Sequence, residues 1–127
     1  MISSKIQSAD WKSEKHAPVI ECKPQGEKQG SYSVTVSVGK EIPHPNTTEH
    51  HISWIQLFFL PQDGTFPIQL GEARFTAHGE SAQGANQGPA YSVPEARFQV
   101  TITGQGTLQA ISYCNIHGLW QSEIPLA

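Results

Sequence analysis

Short runs in which apolar and polar residues alternate dominate the chain. Val34, Val36 and Val38 alternate with Ser33, Thr35 and Ser37, the period-two pattern of a strand with one dry face. Ile55, Leu57 and Phe59 share one face of a second strand, and Trp54 and Phe58 lie on the other, so both faces are expected to be covered. A turn at residues 62–65 follows. Ala73, Phe75 and Ala77 make a third candidate strand, bounded by Gly71 and Gly79. Residues 81–94, rich in Gly, Gln, Ser, Asn and Pro, read as a long loop. The cleanest alternation comes next, with Ala96, Phe98, Val100 and Ile102 set against Arg97, Gln99, Thr101 and Thr103. A turn at 103–106 returns the chain into a strand over 107–113.

Helical periodicity is nearly absent apart from a turn near the N-terminus. Short strands at close spacing predict a β-sandwich or small barrel. The expected form is an all-β, immunoglobulin-like sandwich of about seven antiparallel strands. No internal repeat or linker divides the chain, so residues 1–127 are expected to form a single domain, with segment 1–13 leading into the first loop.

Composition narrows the class. The chain has 127 residues, 37% hydrophobic and 15% charged, with a formal net charge of −3. That is enough chain to bury a core without disulfide staples, and too apolar for disorder. The most apolar stretch, 52–60, is about half a membrane span and contains Ser53 and Gln56, so no membrane association is expected. Only eight Lys and Arg argue against a nucleic-acid surface. The first residues lack an apolar secretory core, which predicts a cytoplasmic location and discounts the Asn46-Thr47-Thr48 sequon. Cys22 and Cys114 form no CxxC pair and are too few for a disulfide framework.

The candidate chemistry lies in the histidines: His16, His44, His50, His51, His78 and His117. Most sit in segments that also hold turn residues. Cys114 precedes His117 by three positions and Gly118 follows, so one turn can aim sulfur and imidazole at a common point. With His44 and His50 upstream, the set offers one thiolate and several imidazoles, a mixture suited to iron, copper or zinc. Structural zinc in a small domain usually takes two or more Cys. Blue copper takes two His, one Cys and a weak axial Met, and the only methionine is Met1. Iron, with a larger coordination number, accommodates the surplus of histidines better.

Four segments carry a resemblance: EKHAPVIE (14–21), GKEIPHPNTTEHHI (39–52), FTAHGES (75–81) and SYCNIHGLW (112–120). In the same order they resemble the motifs of the superoxide reductases, the family of neelaredoxin and the catalytic domain of desulfoferrodoxin. No four-cysteine iron module is present, so the chain resembles the one-iron class. The resemblance implies a mononuclear non-haem iron cycling between Fe2+ and Fe3+. Its ligands would be His16, His44, His50, His117 and the Cys114 thiolate. It also implies Glu14 as sixth ligand in the oxidised state, and Lys15 as a positive charge beside the open position. The implied activity is that of an oxidoreductase: one-electron reduction of superoxide to hydrogen peroxide. The implied partners are rubredoxin or a similar small donor, in a homo-oligomer, a homotetramer by analogy. Ala17 departs from the valine usual in the family.

Other unusual residues receive plainer readings. His51, next to a ligand in sequence, is expected to point to the opposite face of a strand. His78 is expected to make hydrogen bonds, Trp120 and Tyr113 to pack near the site, Cys22 to be an inert thiol and Lys40 to be solvated. The backbone N–H groups of Ile116 and His117 are candidate donors to sulfur. Besides superoxide reduction, two functions remain open: a copper electron-transfer sandwich and an immunoglobulin-like interaction domain, with dismutation as a narrower enzymatic rival.

Overall fold

The computed structural model describes residues 1–126. A 3-10 turn at Ile2–Lys5 precedes seven strands: β1 (Val19–Pro24), β2 (Ser31–Ser37), β3 (Ile52–Pro61), β4 (Ile68–Arg74), β5 (Glu95–Thr101), β6 (Gly106–Cys114) and β7 (Gly118–Leu126). All strand pairings are antiparallel, in a three-stranded sheet β1-β2-β5 and a four-stranded sheet β4-β3-β6-β7. The expected all-β sandwich is therefore the fold. In a constant-type immunoglobulin sandwich the fourth strand lies beside the fifth. Here β4 lies beside β3 instead, so it belongs to the other sheet.

The core follows from strand alternation. Val34 and Val36 of β2 face Ile55 and Leu57 of β3 and Leu108 of β6, all fully shielded from solvent. Leu108, Ala110, Ser112 and Cys114 are the inward positions of β6, two residues apart. Cys114 is the last of them. The same periodicity that builds the core thus delivers its sulfur to one end of the sandwich. On β3 a bulge between Ile52 and Trp54 lets both Ile52 and Ile55 face inward, although they are three residues apart.

Three local expectations are revised. The candidate strand at 73–77 is instead β4, Ile68–Arg74. Gly71 lies inside it, because a Cβ there would stand 2.4 Å from the Phe98 ring. Phe75 lies just past the end of the strand: it is buried, and its amide donates to the Ser53 carbonyl at 2.9 Å, in register with the Trp54–Arg74 pair. Strand β1 escaped the sequence reading because only Val19 and Ile20 are apolar before Glu21 and Cys22. Strand β7 escaped because its start overlaps the CNIHGLW motif, which read as a loop.

The N-terminal segment is held against β7. Gln7 forms a parallel bridge with Trp120, its amide donating to the Leu119 carbonyl at 3.0 Å and its carbonyl accepting from Gln121 at 2.8 Å.

Candidate metal centre

Three segments converge at one end of the sandwich: 14–18 leading into β1, 44–51 leading into β3, and the turn between β6 and β7. They bring together one donor atom each from His16, His50, Cys114 and His117, all within 4.8 Å of one another. His44 adjoins this group, its ring centre 4.8 Å from that of His16 and 4.6 Å from that of His50. The sequence-derived set of four imidazoles and a thiol is therefore assembled from positions up to 101 residues apart.

Hydrogen bonds decide which nitrogen is free in His44 and His16. The Nδ1 of His44 lies 2.7 Å from the Pro45 carbonyl, which can only accept, so this nitrogen carries the proton and Nε2 the lone pair. The Nδ1 of His16 lies 2.5 Å from a Glu14 carboxylate oxygen, with the same result. Its Nε2 then faces Nδ1 of His117 at 3.2 Å, and that nitrogen is 3.8 Å from the Cys114 sulfur. Nε2 of both His44 and His50 is buried and has no hydrogen-bond partner among the described residues. Buried lone pairs without a donor are costly, and a metal ion is what such a convergence of nitrogen and sulfur accommodates. Burial, with the charges of His16, His50 and Lys15 adding, pushes the His44 imidazole down to about 4 against the opposing effect of its Pro45 hydrogen bond. Burial, followed by the charges of His117, His16 and Lys15, lowers His50 as well. Both rings are neutral at pH 7, the form that ligates metal.

The sulfur is oriented by its own turn. Cys114 is completely buried, and the His117 amide donates to Sγ at 3.3 Å. Of the two amides expected near sulfur, His117 is the one that reaches it. Gly118 closes the turn with φ +81°, a left-handed conformation that glycine adopts at little cost. Trp120 on β7 stacks on His16, ring centres 4.8 Å apart and planes 13° from parallel, and its Nε1 donates to the His117 carbonyl at 3.3 Å.

Polar side chains that the sequence reading passed over fix the loops. Buried Ser112 donates to the His16 carbonyl at 3.3 Å, tying the first loop to β6. The 47–51 loop closes on itself: the Thr47 amide donates to the His50 carbonyl at 2.9 Å, and the His50 amide to Thr47 Oγ1 at 3.0 Å. Asn86, in the long loop at φ +65°, accepts from the Thr48 amide at 2.8 Å and donates to the Glu49 carboxylate. Asn46 donates to the Ser92 carbonyl at 2.8 Å. The only signal for these roles in the sequence was the unusual density of Asn, Ser and Thr beside the histidines.

The remaining candidates fall as follows. Glu14 is turned onto the first loop, accepting from the His16 amide at 2.6 Å and the Ala17 amide at 3.0 Å besides the His16 ring. Burial raises its carboxyl, but these hydrogen bonds outweigh that and hold it below the ordinary range. The Lys15 charge reaches both His44 and His50. His51 lies in the turn before β3 rather than within the strand, its ring stacked on buried His78 at 3.6 Å. His78 is hydrogen-bonded to Asn46 Oδ1 and the Phe75 carbonyl, both at 2.9 Å. Tyr113 packs away from the site, stacked on Trp54. Lys40 pairs with Glu21 at 2.9 Å. The sole methionine, Met1, is fully exposed, and five converging donors exceed the three strong ligands of a blue-copper site.

A family model described as desulfoferrodoxin matches residues 8–123. The chain is 55% identical over 126 residues to a superoxide reductase of Pyrococcus furiosus, with 99% of each chain covered. It is 52% identical over 122 residues to a neelaredoxin of Megalodesulfovibrio gigas, covering 96% of this chain and 94% of that one. The structure of a superoxide reductase (neelaredoxin) from Archaeoglobus fulgidus in the reduced form superposes with a TM-score of 0.90 at 53% identity, over 97% of this chain and 98% of the other.

Proposed function

Because the chain belongs to the desulfoferrodoxin family, we propose that its centre makes it a superoxide reductase, taking superoxide to hydrogen peroxide with one electron and two protons. The observation that carries this reading is the pair of buried, unpartnered Nε2 atoms of His44 and His50 beside His16, His117 and Cys114. The ligands are His16, His44 and His50 through Nε2, His117 through Nδ1, and Cys114 through sulfur. Iron held there supplies a one-electron Fe2+/Fe3+ couple.

The residues around it perform the rest. These five residues would hold the iron, and a small substrate would meet it from a direction their donor atoms do not occupy. The Glu14 carboxylate fixes the His16 tautomer, as an outer partner of a ligating imidazole commonly does. Glu14 would reach a metal held there only if its bonds to His16 and Ala17 were given up. The amide of His117 withdraws density from the sulfur and so tunes its donation. Lys15 offsets the net charge of −3 where an anionic substrate must approach. A small one-electron donor such as rubredoxin restores the reduced state. Residues 1–127 act as one domain. Assembly into a homotetramer is part of the same reading, supported by Phe66 and Ile68, 79% and 52% exposed near the β4 edge, and sedimentation equilibrium tests it. A cytoplasmic location belongs to the same reading, supported by two free cysteines, the state a reducing compartment maintains.

The deciding experiment mixes the reduced, iron-loaded protein with a superoxide pulse under anaerobic conditions. Hydrogen peroxide should appear in amounts equal to superoxide consumed, with no oxygen. Oxygen and peroxide in equal amounts would indicate dismutation and overturn the proposal.

A further inference from the structure

The backbone ladder between β3 and β6 stops at the pair Ile52–Cys114. Past that pair the chains diverge, one into the loop that bears His50 and the other into the turn that bears His117. Asn115 carries the ladder one step further. Its amide donates to the His51 carbonyl at 3.2 Å. Its side-chain oxygen accepts from the His51 amide at 2.8 Å, standing in for the backbone carbonyl that has turned away. Its Nδ2 donates to the Glu49 carbonyl at 2.9 Å. One side chain therefore holds the peptide groups on both sides of His50, and it belongs to the residue that follows the ligand cysteine.

We propose that Asn115 is a positioning residue that sets the His50 imidazole relative to the Cys114 sulfur. The proposal rests on the ligand set given above. Only asparagine supplies this combination at this length. Aspartate keeps the acceptor for the His51 amide but turns a second oxygen toward the Glu49 carbonyl, and alanine removes both bonds. Asn86 grips the same loop at Thr48 and Glu49 but has no hydrogen bond to the cysteine turn, so it separates a loosened loop from a misplaced ligand.

The test uses iron-loaded wild type, N115A, N115D and N86A. It reads the rate of ferrous iron release to excess bipyridine, and the ferric electron paramagnetic resonance and thiolate charge-transfer spectra. N115A is expected to release iron about 10–100-fold faster, the range usual for outer partners of metal ligands, with shifted ferric spectra. N115D should shift in the same direction, and N86A, which loosens the loop but has no bond to the cysteine turn, should shift clearly less than N115A in both readouts. N115D preserves the shape of the side chain and carries the test if N115A does not fold. Wild-type release rates and unchanged spectra in N115A and N115D would overturn the proposal, as would an N86A variant equal to N115A. Failure of the wild type to bind iron, or a charge-transfer band surviving in Cys114→Ser, would instead overturn the ligand set itself.

Discussion

The two ends of this sandwich are built differently. The end away from the histidines holds a hollow of about 460 Å³ lined by Leu60, Pro61, Gln62, Gln105, Gly106, Thr107 and Leu126. No histidine, cysteine or carboxylate lines it. The opposite end gathers five donor atoms from three segments, and its space is filled by the rings themselves, with His16 packed among His44, His117 and Trp120. A diatomic substrate needs a coordination position rather than a pocket, so the reactive end is recognised by convergent lone pairs and not by volume. The difference also appears in the loops. At the reactive end Ser112, Asn86 and Asn115 are committed to the backbone of ligand-bearing segments.

The contrast breaks most completely at the sulfur. Cys114→Ser should abolish the thiolate charge-transfer band and lower the rate of superoxide reduction by more than the roughly 10–100-fold typical of an outer partner. A thermal melt should show the fold intact, since serine already occupies the preceding inward position of β6. Retention of the wild-type rate, followed by pulse radiolysis, would remove Cys114 from the centre. A core truncation does the converse. Leu57→Ala, at a fully buried site serving both ends, should cost about 2–5 kcal/mol in denaturant unfolding while leaving the spectrum of the loaded protein unchanged.

Acid should act on the reactive end first. With His44 near 4 in the folded state and 6.5 as its ordinary value, the unfolded chain takes up the proton before the folded one does. The stability of the metal-free protein is therefore full above about pH 6.5 and falls as pH drops toward 4. Glu14 and Glu80, and Glu49 held at about 2, have folded values below the ordinary 4.5, so their contributions are lost at still lower pH. Thermal midpoints of chelated protein across pH 3–8 test the two windows, and a His44→Ala variant should flatten the upper one. The smallest effect belongs to Lys15. Lys15→Ala should slow superoxide capture a few-fold at low ionic strength and less at high salt, with iron content unchanged. Equal rates at low salt would deny Lys15 its role.

Much of this was legible in the chain. Alternation with one dry face identified the strands at 34–38 and 96–102, apolar residues on both faces the one at 55–59, and the turn at 103–106 the one at 107–113. The ligand-bearing segments stood out because histidine and cysteine are rare and carry chemistry. What escaped depended on contacts distant in sequence. Strand β1 has too few apolar residues to announce itself, and β4 begins earlier than the apolar trio at 73–77 because its pairing with β3 starts at Ile68 opposite Phe59. Asn115 and Ser112 are ordinary polar residues in isolation, and their roles exist only once Glu49, His51 and His16 have been brought alongside.

Strand β7 lies at the border of its sheet, where an uncovered row of amides and carbonyls invites pairing with another chain. Two devices blunt it. Pro125 has no N–H to offer, and Gln7 occupies the amide of Gln121 and the carbonyl of Leu119. The first ten residues thus serve as a sewn hem as well as an approach to the first loop. Proteolytic trimming past Gln7 would expose the border beside Trp120, and the trimmed chain would meet its own kind edge to edge in concentrated solution.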